Sequence, residues 1–379
     1  MHAAIRTTAA ALAVLTAIAA AVAFPQPERP PSPAPFEPTL PPPPVIPPVG
    51  EVPTPWPYPQ RLAMVQRNVL VRTEGRLDHM DYDATSRRLY IAAIAKGALE
   101  VHGAADSTLV QSIELPAPTD VLVLADPRRV LVTCEGDNSL RVFARAEDGT
   151  LTPERSVVLP ATPGTIALDA ARGRVFVGHG QGVSEVDPAT GKLGTPIDVG
   201  GEVEGMVVEP AGAPARLFAC VPSKHAVVVI DTAASRVLAE WKIPEDEAAP
   251  GVVREWNYPL ALDAEAGRLF VVTRVPAELH VLDTATGTRV ARVERVCQDA
   301  DDCWYDPTTR RVLISGGAAG GVTLVRRNDG DAYSLEATIT TATGARTSCL
   351  SVPERRLFVG APAFGDDQAY VFVYLIGPR

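Results

Sequence analysis

The sequence predicts an all-β protein: a seven-bladed β-propeller of four-stranded blades, with the last blade closed by an N-terminal strand. Three observations predict it. A strand, an Asp-led turn and a second strand opened by Arg recur seven times at spacings of 40 to 54 residues. No helical periodicity of useful length occurs after residue 60. The chain also stops one strand short of a complete last unit. Repeats in the forties with four short strands rich in Val, Ile, Leu and Phe are the mark of a propeller.

The turn positions are Asp83, Asp126, Asp169, Glu209, Asp263, Asp306 and Pro353. After each comes a basic residue and an apolar strand, as in Arg88-Leu89-Tyr90-Ile91, Arg174-Val175-Phe176-Val177 and Arg268-Leu269-Phe270-Val271. Third strands follow, such as Val227–Ile230 and Leu279–Leu282, and then a turn into a fourth. The last third strand, Tyr370–Tyr374, leaves only Leu375 to Arg379, too little to turn and pair. An open edge there invites aggregation. The spare β-segment Asn68–Thr73, just ahead of blade 1, is therefore expected to complete the last blade.

This grammar resembles the YVTN-type repeat family of seven-bladed propellers over roughly residues 62 to 379. The signature tetrapeptide corresponds to Tyr90-Ile91-Ala92-Ala93, Leu131-Val132-Thr133-Cys134 and Phe270-Val271-Val272-Thr273. No copy keeps the final Asn. The resemblance implies the fold. For function it implies little, because propellers of this kind include surface-layer modules, lactonases, lyases and haem-binding domains.

Ahead of the repeats lie two other segments. Residues 1–23 carry Arg6, an Ala-rich apolar run and the small-residue site Ala21-Val22-Ala23, the pattern of a secretory signal peptide. The run is short of the ~20 residues a membrane helix needs, so an uncleaved anchor is the lesser alternative. Residues 24–60 form a Pro-rich linker, expected as extended polyproline II reaching on the order of 100 Å. A docking site for a Pro-reading partner is the alternative there. Residues 61–379 are the propeller. The expected location is secreted or periplasmic, with no membrane attachment after signal cleavage.

A net charge of −10, without aromatics interleaved among Lys and Arg, argues against nucleic acid as a partner. Five cysteines occur with no CxxC pattern, so neither a zinc site nor attached haem is signalled. Cys134 and Cys220 fall on inner strands as small apolar residues. A disulfide between Cys297 and Cys303 fits an oxidising compartment, with Cys349 as a rival partner.

Strand alternation sorts the loops onto two faces. Turns between strands 1 and 2, and between 3 and 4, share one face, and their Asp and Gly residues serve turn geometry. The blade-to-blade connections share the other, which is irregular and rich in ionisable groups. There Asp78, His79, Asp120, Glu204, Asp301, Asp302 and Arg346 arrive at the mouth of the channel, with Tyr258 nearby. Pro244 to Asn257 is the excess of the longest repeat and is expected as a lid on this face.

Packed acids repel one another unless a cation, His79 or Arg346 compensates them. Three readings are open. One is a hydrated polar channel with internal salt bridges. Another is a hard-cation site for an ion such as Ca²⁺, with Asp301 and Asp302 as ligands. The third is a catalytic site with His79 as acid or base and Arg346 holding an anionic substrate. No GxSxG elbow, HExxH or P-loop is present. The leading functional reading is a binding or scaffolding module taking a small molecule, cation or protein at the channel face. The alternative is a metal-assisted hydrolase, lactonase or lyase using the same mouth.

Overall fold

In the computed structural model the described residues are 52–210, 215–244, 255–363 and 368–379, with the backbone alone described at 255–257. The expected signal peptide, most of the Pro-rich linker and the centre of the expected lid, residues 245–254, lie outside them. The propeller belongs to the compact unit Pro44–Arg379.

Seven four-stranded antiparallel sheets form the blades. In chain order, blades 1 to 6 start on innermost strands Met80–Asp83, Pro118–Leu124, Pro163–Asp169, Gly205–Val208, Glu255–Asp263 and Ala300–Asp306. Blade 7 comprises Thr347–Ser351, Arg356–Ala361 and Ala369–Ile376, and Leu62–Leu70 pairs along Ala369–Ile376 as its outermost strand. The ring is thus sealed by hydrogen bonds between strands from its two ends.

The sealing strand is longer and earlier than the expected Asn68–Thr73. Leu62 lies opposite Ile376 and Leu70 opposite Ala369, with a bulge between Met64 and Gln66. The bulge breaks the two-residue alternation, so Leu62, Val65 and Leu70 are all buried although their spacing does not announce a strand. Arg72, in the left-handed region at φ 68°, turns the chain toward blade 1, so residues 71–73 lie outside the sheet.

The second strands are almost wholly buried, and Phe176, Phe218, Phe270 and Phe358 each fill the space beside a neighbouring blade. Burying such a ring stabilises by roughly 1.5–3 kcal/mol. The turn aspartates behave as expected. Asp83 accepts from the amides of Thr85 and Ser86, Asp187 from Ala189, Asp283 from Ala285 and Asp306 from Thr308.

The recurrent Arg that opens each second strand has a physical reason in the ring. Arg88 Nε donates to Asp148 O of blade 2 at 3.0 Å, and Arg174 to Thr232 O of blade 4 at 2.8 Å. Arg216 reaches Thr284 O of blade 5, and Arg268 binds Asp331 of blade 6 through Nε (2.7 Å) and Nη2 (3.0 Å). Arg311, fully buried, donates to Gly377 O and Pro378 O beyond blade 7 and holds Glu336 of its own blade. In five of the seven blades this Arg is therefore a clasp reaching beyond its own blade.

All five cysteines are free and buried, so the Cys297–Cys303 disulfide is not formed. Cys297 Sγ instead lies 3.1 Å from Ile314 O. His102 is buried between Glu100 (3.0 Å) and Ser107 O (2.9 Å). Burial raises the Glu100 carboxyl, but hydrogen bonds from His102, Lys96 and Thr73 outweigh it and bring it down to about 2. No helix among the described residues is long and apolar enough to cross a membrane.

Candidate functional site at the channel mouth

The innermost strands enclose a cavity of about 410 Å³ on the ring axis. Its walls are largely apolar, with Leu122, Ile166, Met206, Leu260 and Trp304 among them. Its charged groups are His79, Asp81, Asp120, Glu204, Asp301 and Asp302. They arrive together because each innermost strand begins at this end, where the chain enters from the preceding blade.

His79 is the hub. Its Nδ1 lies 3.2 Å from Asp302 Oδ1, and its Nε2 is 3.9 Å from Asp78 Oδ1. Burial disfavours the imidazolium, but Asp302, Asp120 and Asp78 outweigh that and hold the His79 pKa well above its ordinary value. Asp302 is held at both oxygens, since Oδ2 accepts the Ser348 amide of blade 7 at 2.6 Å. Asp78 is buried and bonded to Arg76 at 2.6 Å. Burial nevertheless pushes its carboxyl up to about 6.

Asp301 lies between two guanidinium groups. Arg274 Nη2 bonds Oδ1, and Arg346 Nε lies 3.0 Å from Oδ2. Arg346 also reaches Asp299 at 3.3 Å, and Arg274 donates to Ala300 O at 2.9 Å. The Arg274 guanidinium carbon sits 3.6 Å from the centre of the Tyr258 ring, a stacked cation–π arrangement. Burial opposes the charge on Arg346, but Asp301, Asp299 and Asp78 raise its pKa.

Three carboxylates here perform a structural task that the sequence did not reveal. Asp81 Oδ2 accepts Val123 N–H of blade 2 at 2.7 Å, Asp120 Oδ2 accepts Ile166 N–H of blade 3 at 2.8 Å, and Asp302 takes Ser348 N–H of blade 7. Each ties one innermost strand to the next. Burial raises the Asp81 carboxyl to about 7 against its two amide bonds, and raises Asp120 as well. The Glu204 side chain makes no hydrogen bond or ion pair among the described residues, and burial together with Glu202 raises its pKa.

The residues expected at the mouth thus fall into groups. Asp78, His79, Asp301, Asp302 and Arg346 form one connected cluster, with Tyr258 joined to it through Arg274. Asp120 and Glu204 stand on other sectors of the same cavity. The donor atoms of Asp78, His79 and Asp301 lie within 4.8 Å of one another, the spacing of a cation site. Asp302 is not part of that trio, and its two oxygens meet His79 and the Ser348 amide. A cation at Asp301 would have to displace a guanidinium. The sequence places Arg274 and Asp299 on this face without their pairings, and Asp81 was missed. Arg274 ends a second strand like any other, and only the ring brings it across to Asp301.

No family model matches the chain, so the likeness to YVTN-type propellers rests on blade grammar alone. No curated protein matches it either. Among solved structures, a chain in the crystal structure of a mitotic checkpoint complex superposes with a TM-score of 0.66 at 13% identity. The match covers 83% of this chain and 92% of that one. At that identity the likeness extends to the fold, a seven-bladed β-propeller.

Proposed function

We propose that this chain is a secreted or periplasmic binding module whose ring is the frame for a ligand site at the acidic channel mouth. The observation that carries the reading is a preformed cavity with apolar walls and charged groups from four blades at its rim. The export signal read in residues 1–23 supports the location. Ligand-observed NMR with a panel of small charged and neutral organic molecules tests the site, comparing wild type with Glu204→Gln. The Glu204 side chain has no bond to lose among the described residues, so the substitution leaves the frame intact. A ligand that binds both proteins equally removes Glu204 from the site, and a panel without any ligand removes the site itself.

The second reading is a metal-assisted hydrolase, lactonase or lyase, favoured by the Asp78–His79–Asp301 trio. Elemental analysis of the purified protein, followed by a lactone panel, separates it from pure binding. A stoichiometric divalent ion with turnover establishes catalysis. A metal-free, inert protein discards it.

A further inference from the structure

The seven junctions of the ring are not equally fastened. At the junction of blades 1 and 2, Arg88 and the Tyr90 hydroxyl reach Asp148 O and Gly149 O, and Gln111 bonds both the amide and carbonyl of Leu151. Arg174, Arg216, Arg268 and Arg311 make the corresponding reach at the next four junctions from blade 3 onward. Between blades 7 and 1, Tyr82 donates to Glu354 at 3.1 Å and Gln66 of the sealing strand donates to Ala105 O. Blade 2 is the exception. Its Arg129 turns back to Glu154 on its own outer strand at 2.6 Å, and Arg155 offers Asp187 of blade 3 only a longer-range attraction.

Among the described residues, the hydrogen bonds between blades 2 and 3 lie on the channel side alone. They run from Ile166 N–H to Asp120 Oδ2 at 2.8 Å and from the Thr133 hydroxyl to Gly164 O at 3.2 Å. Blade 3 also has the shortest outer strand, Ile197–Asp198. The remaining adhesion is an apolar cluster containing Leu124, Leu131, Val142, Ile166, Val175 and Val177. Apolar packing is non-directional, so two blades held by it can rock against each other where hydrogen-bonded blades cannot.

We infer that the ring opens at the junction of blades 2 and 3, with Asp120 as its latch. Val121 and Leu122 on one side of this junction, and Thr165 to Leu168 on the other, are walls of the central cavity, so opening here widens it. Asp120 faces His79 and Asp302 across that cavity, which joins the latch to the charge state of the mouth. The inference goes beyond the binding reading and holds whether or not a ligand is found.

Hydrogen–deuterium exchange of the full chain, read by mass spectrometry, tests it. In wild type, peptides covering 163–169 are expected to exchange faster than those covering 347–351, where Asp302 makes the same kind of bond but Arg311 clasps the outside. Asp120→Asn is expected to raise exchange in 163–169 by about tenfold or more, the worth of one bond to a charged acceptor, and to leave blades 5 to 7 unchanged. Asp302→Asn is expected to change 347–351 by much less. Equal protection of the two wild-type segments overturns the inference without needing any variant. A uniform rise over all blades in Asp120→Asn overturns the latch.

Discussion

Arg311 offers the most direct measure of what the inter-blade clasps contribute. Its side chain is fully buried, donates to Glu336 through Nε (2.6 Å) and Nη2 (3.0 Å), and reaches Gly377 O and Pro378 O at 3.2 and 3.3 Å. Arg311→Met keeps the bulk and removes the charge. Breaking a buried pair costs about 3–5 kcal/mol, and the lower end applies because Glu336 keeps some contact with water. The two carbonyl acceptors add about 0.5–1 kcal/mol each, for a total near 4 kcal/mol. The control is Arg129→Met, whose pair with Glu154 lies within one blade and is partly exposed, worth about 1 kcal/mol or less.

Chemical denaturation of both variants beside wild type provides the comparison. The pH dependence has a definite sign. The Arg311 hydrogen bonds hold the Glu336 pKa below its ordinary value against burial. A depressed carboxylate stabilises above the unfolded pKa, and that contribution is lost as pH falls through the folded one. The gap between wild type and Arg311→Met should therefore narrow in acid. A cost that does not exceed the ~3 kcal/mol of the Glu336 pair within the blade would refute the idea that this arginine also fastens the ring.

Three other outcomes are expected. Asp81 and Asp78, raised to about 7 and about 6, give stability that is fully present below their ordinary carboxylate pKa and lost as pH rises through those values. The thermal midpoint should be higher at pH 5 than at pH 8, and Asp81→Asn should flatten that difference. Phe270→Ala, which empties a buried site packed against Tyr305 at 5.2 Å, should cost about 3–5 kcal/mol in a denaturant titration. Truncation that removes Leu62–Leu70 should leave the outer edge of the strand Ala369–Ile376 unpaired and produce soluble aggregates in size-exclusion chromatography; a monodisperse truncated ring would contradict the sealing role.

Much of the frame was legible because propeller structure is local. Asp83, Asp187, Asp283 and Asp306 bind amides two or three residues on, so a turn is written where it occurs. The Arg of each unit was visible as a phase marker, but its purpose was not. Arg174 finds its acceptor at Thr232, in a blade the sequence does not identify as adjacent through that residue. The bulge at Met64 to Gln66 hid the first half of the sealing strand for a similar reason, since one extra residue cancels the alternation that strand reading depends on.

The mouth was half legible. Charged residues at blade entries can be counted on to meet near the axis, which placed His79, Asp120, Glu204, Asp301 and Asp302 around one cavity. Their pairings could not be read. Whether Asp302 is free to take a ligand depends on Ser348 offering an amide 46 residues away, a fact of three-dimensional register alone. The pairing of Arg274 escaped notice because its partner Asp301 belongs to the following blade.

The pairing of Leu62–Leu70 with Ala369–Ile376 also orders events in time. A ribosome makes the N-terminal partner first and the other after six intervening blades, so the earliest strand emerges with no mate. Until translation nears its end, six consecutive sheets can assemble while the circle stays a horseshoe. Contacts between such distant positions form slowly because a long loop must be closed first. A nascent chain stalled before residue 369 therefore presents two ragged ends at once, which exposes it to chaperones and proteases until the last strand is made.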